Sequence, residues 1–392
     1  MPTQIQSFLE KNTEQVSIDK IKIIEWRPCV NYYKDAYLNI FSQAAGFLKR
    51  TDAERRTEAA FGRRWVKNFF KNIANIKKNV LYRQSGNPVI IIGSGPGLEN
   101  AIPEIYKAQD YFIIIAASSS VTALSHAGIK ADIVISTDGG PWALRHLYPG
   151  IRDNYLKNIG ALAVNLCACL PSQCGFLPHL IINDASSWQS IALHELSIPS
   201  VVIAQKGTVT ASAVELAMIL SRGNIYLSGM DFSVDDIRTH IKPYGFDFLF
   251  FERACRFLPA YSQIFTRSSL LDKGGSMNIY GAWFKNQLEL WPKKIFSIGK
   301  SKVFTEGDLK KEPFKNKKTE NKFLAAACVK ENSRDFKKRA LNAIITGLKN
   351  PLYSQSIKKE LGSLLFAGRK TFSESELEAA LKETALGGTS YE

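Results

Sequence analysis

The sequence predicts an α/β fold: a Rossmann-like, doubly wound, mainly parallel sheet flanked by an N-terminal mixed or helical region and a C-terminal helical region. Three observations predict it. Short apolar runs rich in β-branched residues recur between positions 89 and 228, helical stretches separate them, and glycine- or serine-rich segments directly follow several of the runs. Runs that are continuous rather than alternating mark strands buried on both faces, as parallel strands are. Strand–helix alternation then argues for winding on both sides of one sheet.

Taken in order, residues 1–80 form the N-terminal region, with a short strand expected at 21–26. Helices are expected at 35–48 and 57–76, the second with Phe61, Trp65, Phe69 and Ile73 at helical spacing, which reads as a core face. A central nucleotide-binding domain is expected over 81–300. Its strands are predicted at 89–92, 112–116, 133–136, 162–166, 180–182, 201–204 and 225–228, and its helices include 119–127, 187–196 and 209–220. Between Lys293 and Lys322 ten lysines face four acids, and residues 310–322 are poor in apolar side chains, so 301–322 reads as a solvated basic linker. Helical spacing returns at 323–329, 336–348 and 356–365 within a C-terminal region over 323–392. Ser373 with Glu376 three residues on forms a helix-start signature.

At 392 residues the chain is long enough for two or three domains. No apolar run reaches the roughly 18 residues of a membrane span, and the first residues lack the basic and apolar blocks of an export signal. A soluble, cytoplasmic protein without membrane insertion is expected. The six cysteines form no Cys-x-x-Cys pair and find no His partner at zinc spacing, so reduced thiols and no metal site are expected. The net charge of +15 favours acidic partners such as nucleotides. No nucleic-acid-binding motif accompanies it, so nucleic acid is not expected among them.

In an open α/β sheet ligands bind beyond the carboxyl ends of the strands, so the chemistry is sought there. The first central strand runs into Gly93-Ser94-Gly95-Pro96-Gly97-Leu98. Glycines permit a tight turn and close approach, and successive N–H groups then face a phosphate. With Leu98 in the third glycine position and no following Gly-Lys, this is neither the dinucleotide fingerprint nor a Walker loop. Ser118 and Ser119 follow the next strand and offer hydroxyls to phosphate, ribose or base, or cap the following helix. Asp138, in Ser136-Thr137-Asp138-Gly139-Gly140, is placed to take a sugar hydroxyl or a metal, or simply to close a turn. Lys206, Gly207 and Thr208 precede a helix and form a second anion-friendly site. Asp231 closes the last of these strands, and His240 follows nine residues later in a polar loop, where it can act as a general base. His126, His146, His179 and His194 lie in predicted helices or at a strand start and read as structural.

Several of these segments resemble the motility accessory factor family, whose members are linked to flagellin glycosylation. Gly93–Leu98, 127–138, Gly207-Thr208-Val209-Thr210-Ala211-Ser212-Ala213 and Gly229-Met230-Asp231-Phe232 with Thr239-His240 carry the resemblance, as do Glu25-Trp26-Arg27-Pro28 and Arg64-Trp65-Val66-Lys67-Asn68. Ile225–Phe232 is also similar to bacterial sialyltransferases of Rossmann-like fold. The resemblance implies a glycosyltransferase whose donor is a CMP-activated nonulosonic acid. The sugar would pass with inversion to a hydroxyl of flagellin or a similar protein acceptor, with no metal or other cofactor needed. It places the donor on Gly93, Ser94, Gly95, Pro96, Gly97, Ser118, Ser119, Asp138, Lys206, Gly207, Thr208 and Asp231, and the base at His240. The 132–138 stretch is similar as well to archaeal pterin pyrophosphokinases, which implies ATP with magnesium at Asp138 as an alternative. A non-catalytic flagellin-binding adaptor, using the basic segment and helical tail, is a further alternative.

Overall fold

The protein is described by a computed structural model over residues 4–13, 21–204, 207–235, 237–273, 276–288, 290–291, 295–299, 301, 303–311, 323–328, 333–366, 369 and 371–386. Eleven strands form one sheet. They are β1 (Lys78–Tyr82), β2 (Val89–Ile92), β3 (Ile113–Ala117), β4 (Ile133–Ser136), β5 (Ala161–Asn165), β6 (Pro178–Asn183), β7 (Ser200–Val202), β8 (Ile225–Ser228), β9 (Ile295–Ile298), β10 (Thr305–Gly307) and β11 (Phe323–Cys328). Their order is β10-β9-β8-β2-β3-β4-β5-β6-β1-β11, with β7 also on β6. The pairings are parallel except β1 with β11. The expected fold class is borne out.

The strands are continuous apolar runs because both faces are covered. Ile90, Ile92, Ile114 and Val134 join a core with the helices Leu98–Ala108, Val121–Ala127, Leu144–Arg152 and Ser187–Glu195. Val89, Ile91, Ile113 and Ile133 point to the other face, onto the helices Val209–Leu220 and Ser276–Leu288. The first of these cores also takes in Val66, Phe69 and Ile73 from the long N-terminal helix and Phe336, Leu341, Ile344, Leu361 and Leu381 from the C-terminal helices.

Four local expectations are corrected. Residues 21–26 form no strand; Ile24 and Trp26 are exposed, and no strand among the described residues pairs with them. The two expected helices are one helix, Lys34–Asn75, because 49–56 contains no glycine or proline to end it. Residues 323–328 form β11 instead of a helix. A short run of small apolar residues suits either state, and the open edge of β1 decides it by antiparallel pairing. Within the basic segment Thr305–Gly307 is a strand on β9 and Leu309 is buried, while 312–322 lies outside the described residues. The capping signature holds: the Ser373 N–H donates to Glu376 at 2.7 Å and the Glu376 N–H to the Ser373 hydroxyl at 3.1 Å. Among the described residues no helix is long and apolar enough to cross a membrane.

Candidate functional site

The order of the strands locates the site. The chain lays β3 to β6 on one side of β2 and then returns to place β8, β9 and β10 on the other. The carboxyl ends of β2 and β8 therefore lie side by side at a topological switch point. The loops that leave them interlock: the Gly93 N–H donates to Ser228 O and the Gly95 N–H to Gly229 O, each at 2.8 Å. A Cβ at Gly93 would overlap the Gly229 carbonyl, and one at Gly95 or Gly97 the Asp231 carboxylate. The Gly97 N–H donates to Asp231 Oδ2 at 3.0 Å. Burial holds the Asp231 carboxyl above its ordinary pKa, against the pull of that hydrogen bond. The following residue, Phe232, has φ +48°, a left-handed conformation rare for a bulky side chain. It is held there by packing on Phe284 and Phe304.

From β8 the chain crosses the carboxyl edge of the sheet. The Ile241 N–H donates to Ser94 O at 2.8 Å, and Arg238 pairs with Glu99 at 2.8 Å, tying the crossing segment to the β2 loop and its helix. His240 then stacks on Tyr244, ring centroids 4.1 Å apart, with its Nδ1 2.8 Å from the Thr239 hydroxyl. Burial, Arg267 and His146 together push the His240 pKa down to about 3. The imidazole is neutral throughout the physiological range.

The crossing brings His240 to the segment that follows β4. There a cavity of about 440 Å³ is lined by Asp138, Trp142 and His146 from the segment after β4, and by Tyr244, Phe246 and Arg267 from beyond β8. That volume falls within the roughly 300–1,000 Å³ of small-molecule sites, and the mixture of aromatic faces with few polar groups is typical of them. His146 packs on Tyr244 and Phe246, with centroids at 5.4 and 5.1 Å. Its Nδ1 is buried without a hydrogen-bond partner among the described residues, and burial lowers its pKa to about 4. A smaller cavity of about 20 Å³, lined by His240 and Thr239, shares Tyr244, Phe250 and Arg267 with the larger one.

Asp138 is presented from below by the long N-terminal helix. Asn68 donates to Gly139 O at 3.2 Å and to Cys167 O at 2.9 Å, and Asn72 donates to Leu166 O and Ala168 O at 2.8 and 2.7 Å. Trp65 packs so close to Gly139 that a Cβ there would overlap its ring. The Cys169 N–H donates to Asp138 O at 2.8 Å, and Asp138 Oδ1 accepts the Gly140 N–H at 2.8 Å. Asp138 is exposed and lines the cavity.

Ser118 and Ser119 sit in the turn Ser118–Ser120 that opens the helix after β3, Ser118 buried and Ser119 half-buried. Gly207 has φ +74°, and the Thr208 hydroxyl caps the next helix by accepting the Ala211 N–H at 3.1 Å. Lys206 lies outside the described residues. The structure thus brings Gly93–Gly97 and Asp231 into contact, and gathers Asp138 and His240 around shared cavity walls. Ser118, Ser119, Gly207 and Thr208 do not line the cavity. The cavity adds Trp142, His146, Tyr244, Phe246 and Arg267, none of which directly follows a strand in the sequence. The one sequence signal for them is the density of aromatics in Tyr244-Gly245-Phe246-Asp247-Phe248-Leu249-Phe250-Phe251. Cys29, Cys167, Cys169, Cys174 and Cys255 are free thiols.

Residues 65–236, less than half of the chain, match the model of the family described as "6-hydroxymethylpterin diphosphokinase MptE-like". An uncharacterized protein of Treponema pallidum (strain Nichols) is 26% identical over 242 residues, covering 62% of this chain and 52% of the relative. The chain therefore spans about half the length of this curated relative. Among solved structures, the MAf glycosyltransferase from Magnetospirillum magneticum AMB-1 aligns with a TM-score of 0.48 at 13% identity, covering 98% of this chain and 63% of that one. The match spans β1 to β8 and their loops, so the centre of the chain is similar to the MptE-like family.

Proposed function

We propose that the protein is a glycosyltransferase that moves a nonulosonic sugar from a CMP-activated donor to a hydroxyl of flagellin or a similar protein acceptor. The observation that carries this reading is the cavity beside His240 at the carboxyl edge of the sheet, aromatic in its walls and lined by both Asp138 and Arg267. Aromatic faces suit the apolar side of a sugar ring, a carboxylate suits its hydroxyls, and a guanidinium suits an acidic substituent. In the transfer, the acceptor oxygen bonds to the anomeric carbon as the sugar–phosphate bond breaks, and CMP leaves with the bonding pair. His240 takes the acceptor proton on its free ring nitrogen, Thr239 holding Nδ1. A pKa near 3 makes a weak base, but the negative donor offsets the Arg267 charge that helps depress it. The Gly93–Gly97 loop, the Ser118 and Ser119 hydroxyls and residues Lys206, Gly207 and Thr208 are assigned to the nucleotide and its phosphate.

Incubating the protein with CMP-nonulosonate and unmodified flagellin tests this. Transfer should occur with wild type, without added metal, and fall about 10²-fold or more in His240→Ala. No transfer by a folded wild type that binds the donor would sink the reading.

A second reading, an ATP- and magnesium-dependent pterin diphosphokinase, is favoured by the description of the family matched by residues 65–236. Formation of AMP from ATP, dependent on both magnesium and a hydroxymethylpterin, would select it over sugar transfer.

A further inference from the structure

The large cavity contains a cation that forms no ion pair among the described residues. Arg267, from the helix Ala260–Lys273, holds its guanidinium 5.2 Å from the Phe246 ring centroid and 5.9 Å from that of Phe250. It is half-buried, and no ion pair joins it to a carboxylate among the described residues. Its polar neighbour is the uncharged Tyr244 hydroxyl. The aromatic faces offset part of the cost of drawing the charge out of water, but beyond the Tyr244 hydroxyl no hydrogen bond among the described residues uses its fork of N–H donors. A guanidinium in this state is a receptor for a planar anion, which it binds through two parallel hydrogen bonds.

The position of Arg267 says which anion. The backbone N–H groups and hydroxyls suited to phosphate lie in the Gly93–Gly97, Ser118–Ser119 and Gly207–Thr208 segments, and none of these lines the cavity. Arg267 shares its cavity with Asp138, which accepts hydrogen bonds, and with the exposed ring of Trp142, which covers an apolar face. Cation, acceptor and aromatic plate in one space match a polyhydroxylated ring that bears a carboxylate.

Resting on the transferase reading above, we infer that Arg267 is the receptor for the carboxylate of the acidic sugar and the residue that selects acidic over neutral sugars. Phosphate, the other anion of the donor that a guanidinium can hold through two hydrogen bonds, is the alternative source of the charge, and the experiment separates the two.

Isothermal titration calorimetry with N-acetylneuraminic acid, its methyl ester and CMP should be run on wild type, Arg267→Met and Arg267→Lys, with thermal unfolding to confirm that both variants fold. Wild type is expected to bind the acid about ten-fold or more tighter than the ester, the effect of one charged hydrogen-bonded pair. Arg267→Met should erase that preference, Arg267→Lys should keep part of it, and CMP should bind all three alike. Equal binding of acid and ester by wild type, or an undiminished preference in Arg267→Met, overturns the inference. So does a loss of CMP affinity alone in Arg267→Met, which would assign the anion to phosphate. Wild type that binds CMP but not the acid overturns this inference and leaves the transferase reading standing. Arg267-dependent binding of the acid without CMP binding supports the inference and overturns the donor assignment. Binding of neither ligand overturns both.

Discussion

The carboxylate of Asp231, at the end of β8, accepts the backbone N–H of Gly97 in the loop that leaves β2, at 3.0 Å. A chain's own anion thus occupies part of the glycine loop that the sequence assigns to a phosphate. The two loops meet because the strand order reverses between β2 and β8. Asp231 sits in a setting that disfavours its charge, since burial raises its pKa.

That relationship predicts the behaviour of Asp231→Asn. The amide oxygen still accepts from Gly97, but the negative charge is gone. The folded pKa is raised, so the native state holds a proton more tightly than the unfolded chain, and ionisation costs stability as pH rises above 3.8, the ordinary value. Asp231→Asn should therefore match or exceed wild type in urea midpoint at pH 7 and bind CMP more tightly. A clearly lowered midpoint would show that the charged carboxylate stabilises the fold.

Asn72 spans two carbonyls, Leu166 O and Ala168 O, from a fully buried position. Asn72→Ala leaves both unpaired and should cost about 2–6 kcal/mol in urea unfolding, at about 1–3 kcal/mol per buried polar group left unsatisfied. Because the same helix supports Gly139 through Asn68, Asn68→Ala should lower transfer more than it lowers stability.

Acid should destabilise the protein through its histidines. His240 is pushed down to about 3, and His146 and His179 to about 4, from an ordinary 6.5, in each case chiefly by burial. With depressed folded values, the unfolded chain binds more protons throughout that window. The stability is fully present above pH 6.5 and is lost as pH falls toward 4 and then 3. Each histidine contributes at most about 1.4 kcal/mol per pH unit. Denaturant unfolding at pH 7, 6 and 5 should show a steepening loss; a flat profile would mean these side chains are solvated.

Glu360, in the C-terminal helix Ser354–Leu365, caps the helix Ser187–Glu195. Its carboxylate accepts the Ser187 N–H at 2.9 and 3.1 Å and the Trp188 N–H at 3.3 Å. Glu360→Ala should cost about 1–2 kcal/mol, the usual effect of losing a charged cap. Truncation after residue 322 should do far more, because Phe336, Leu341 and Ile344 belong to the same core as Phe69 and Trp188. A truncated chain that still unfolds cooperatively near the wild-type midpoint would show that the C-terminal helices are dispensable for folding.

Much of this architecture was legible in the residues alone. Ile90-Ile91-Ile92 and Ile113-Ile114-Ile115 read as doubly covered strands because burial on both faces leaves no room for a polar alternation. The loops after them were found because parallel strands place their ligands at one edge. Segment 323–328 was not legible, since the same small apolar residues satisfy a helix or a strand and only the free edge of β1 chooses. Nor was the cavity: Trp142 and His146 follow β4, Tyr244 and Phe246 follow β8, and Arg267 comes from a helix beyond them. Their meeting depends on the crossing of residues 238–246 over the sheet, fixed by Ile241 on Ser94 and Arg238 on Glu99. Local pattern determined which segments become strands and where their ends carry polar groups, because those are properties of neighbours along the chain. Tertiary structure decided which ends share a cavity, and filled the glycine loop with Asp231, because contacts between distant segments follow from strand order and packing.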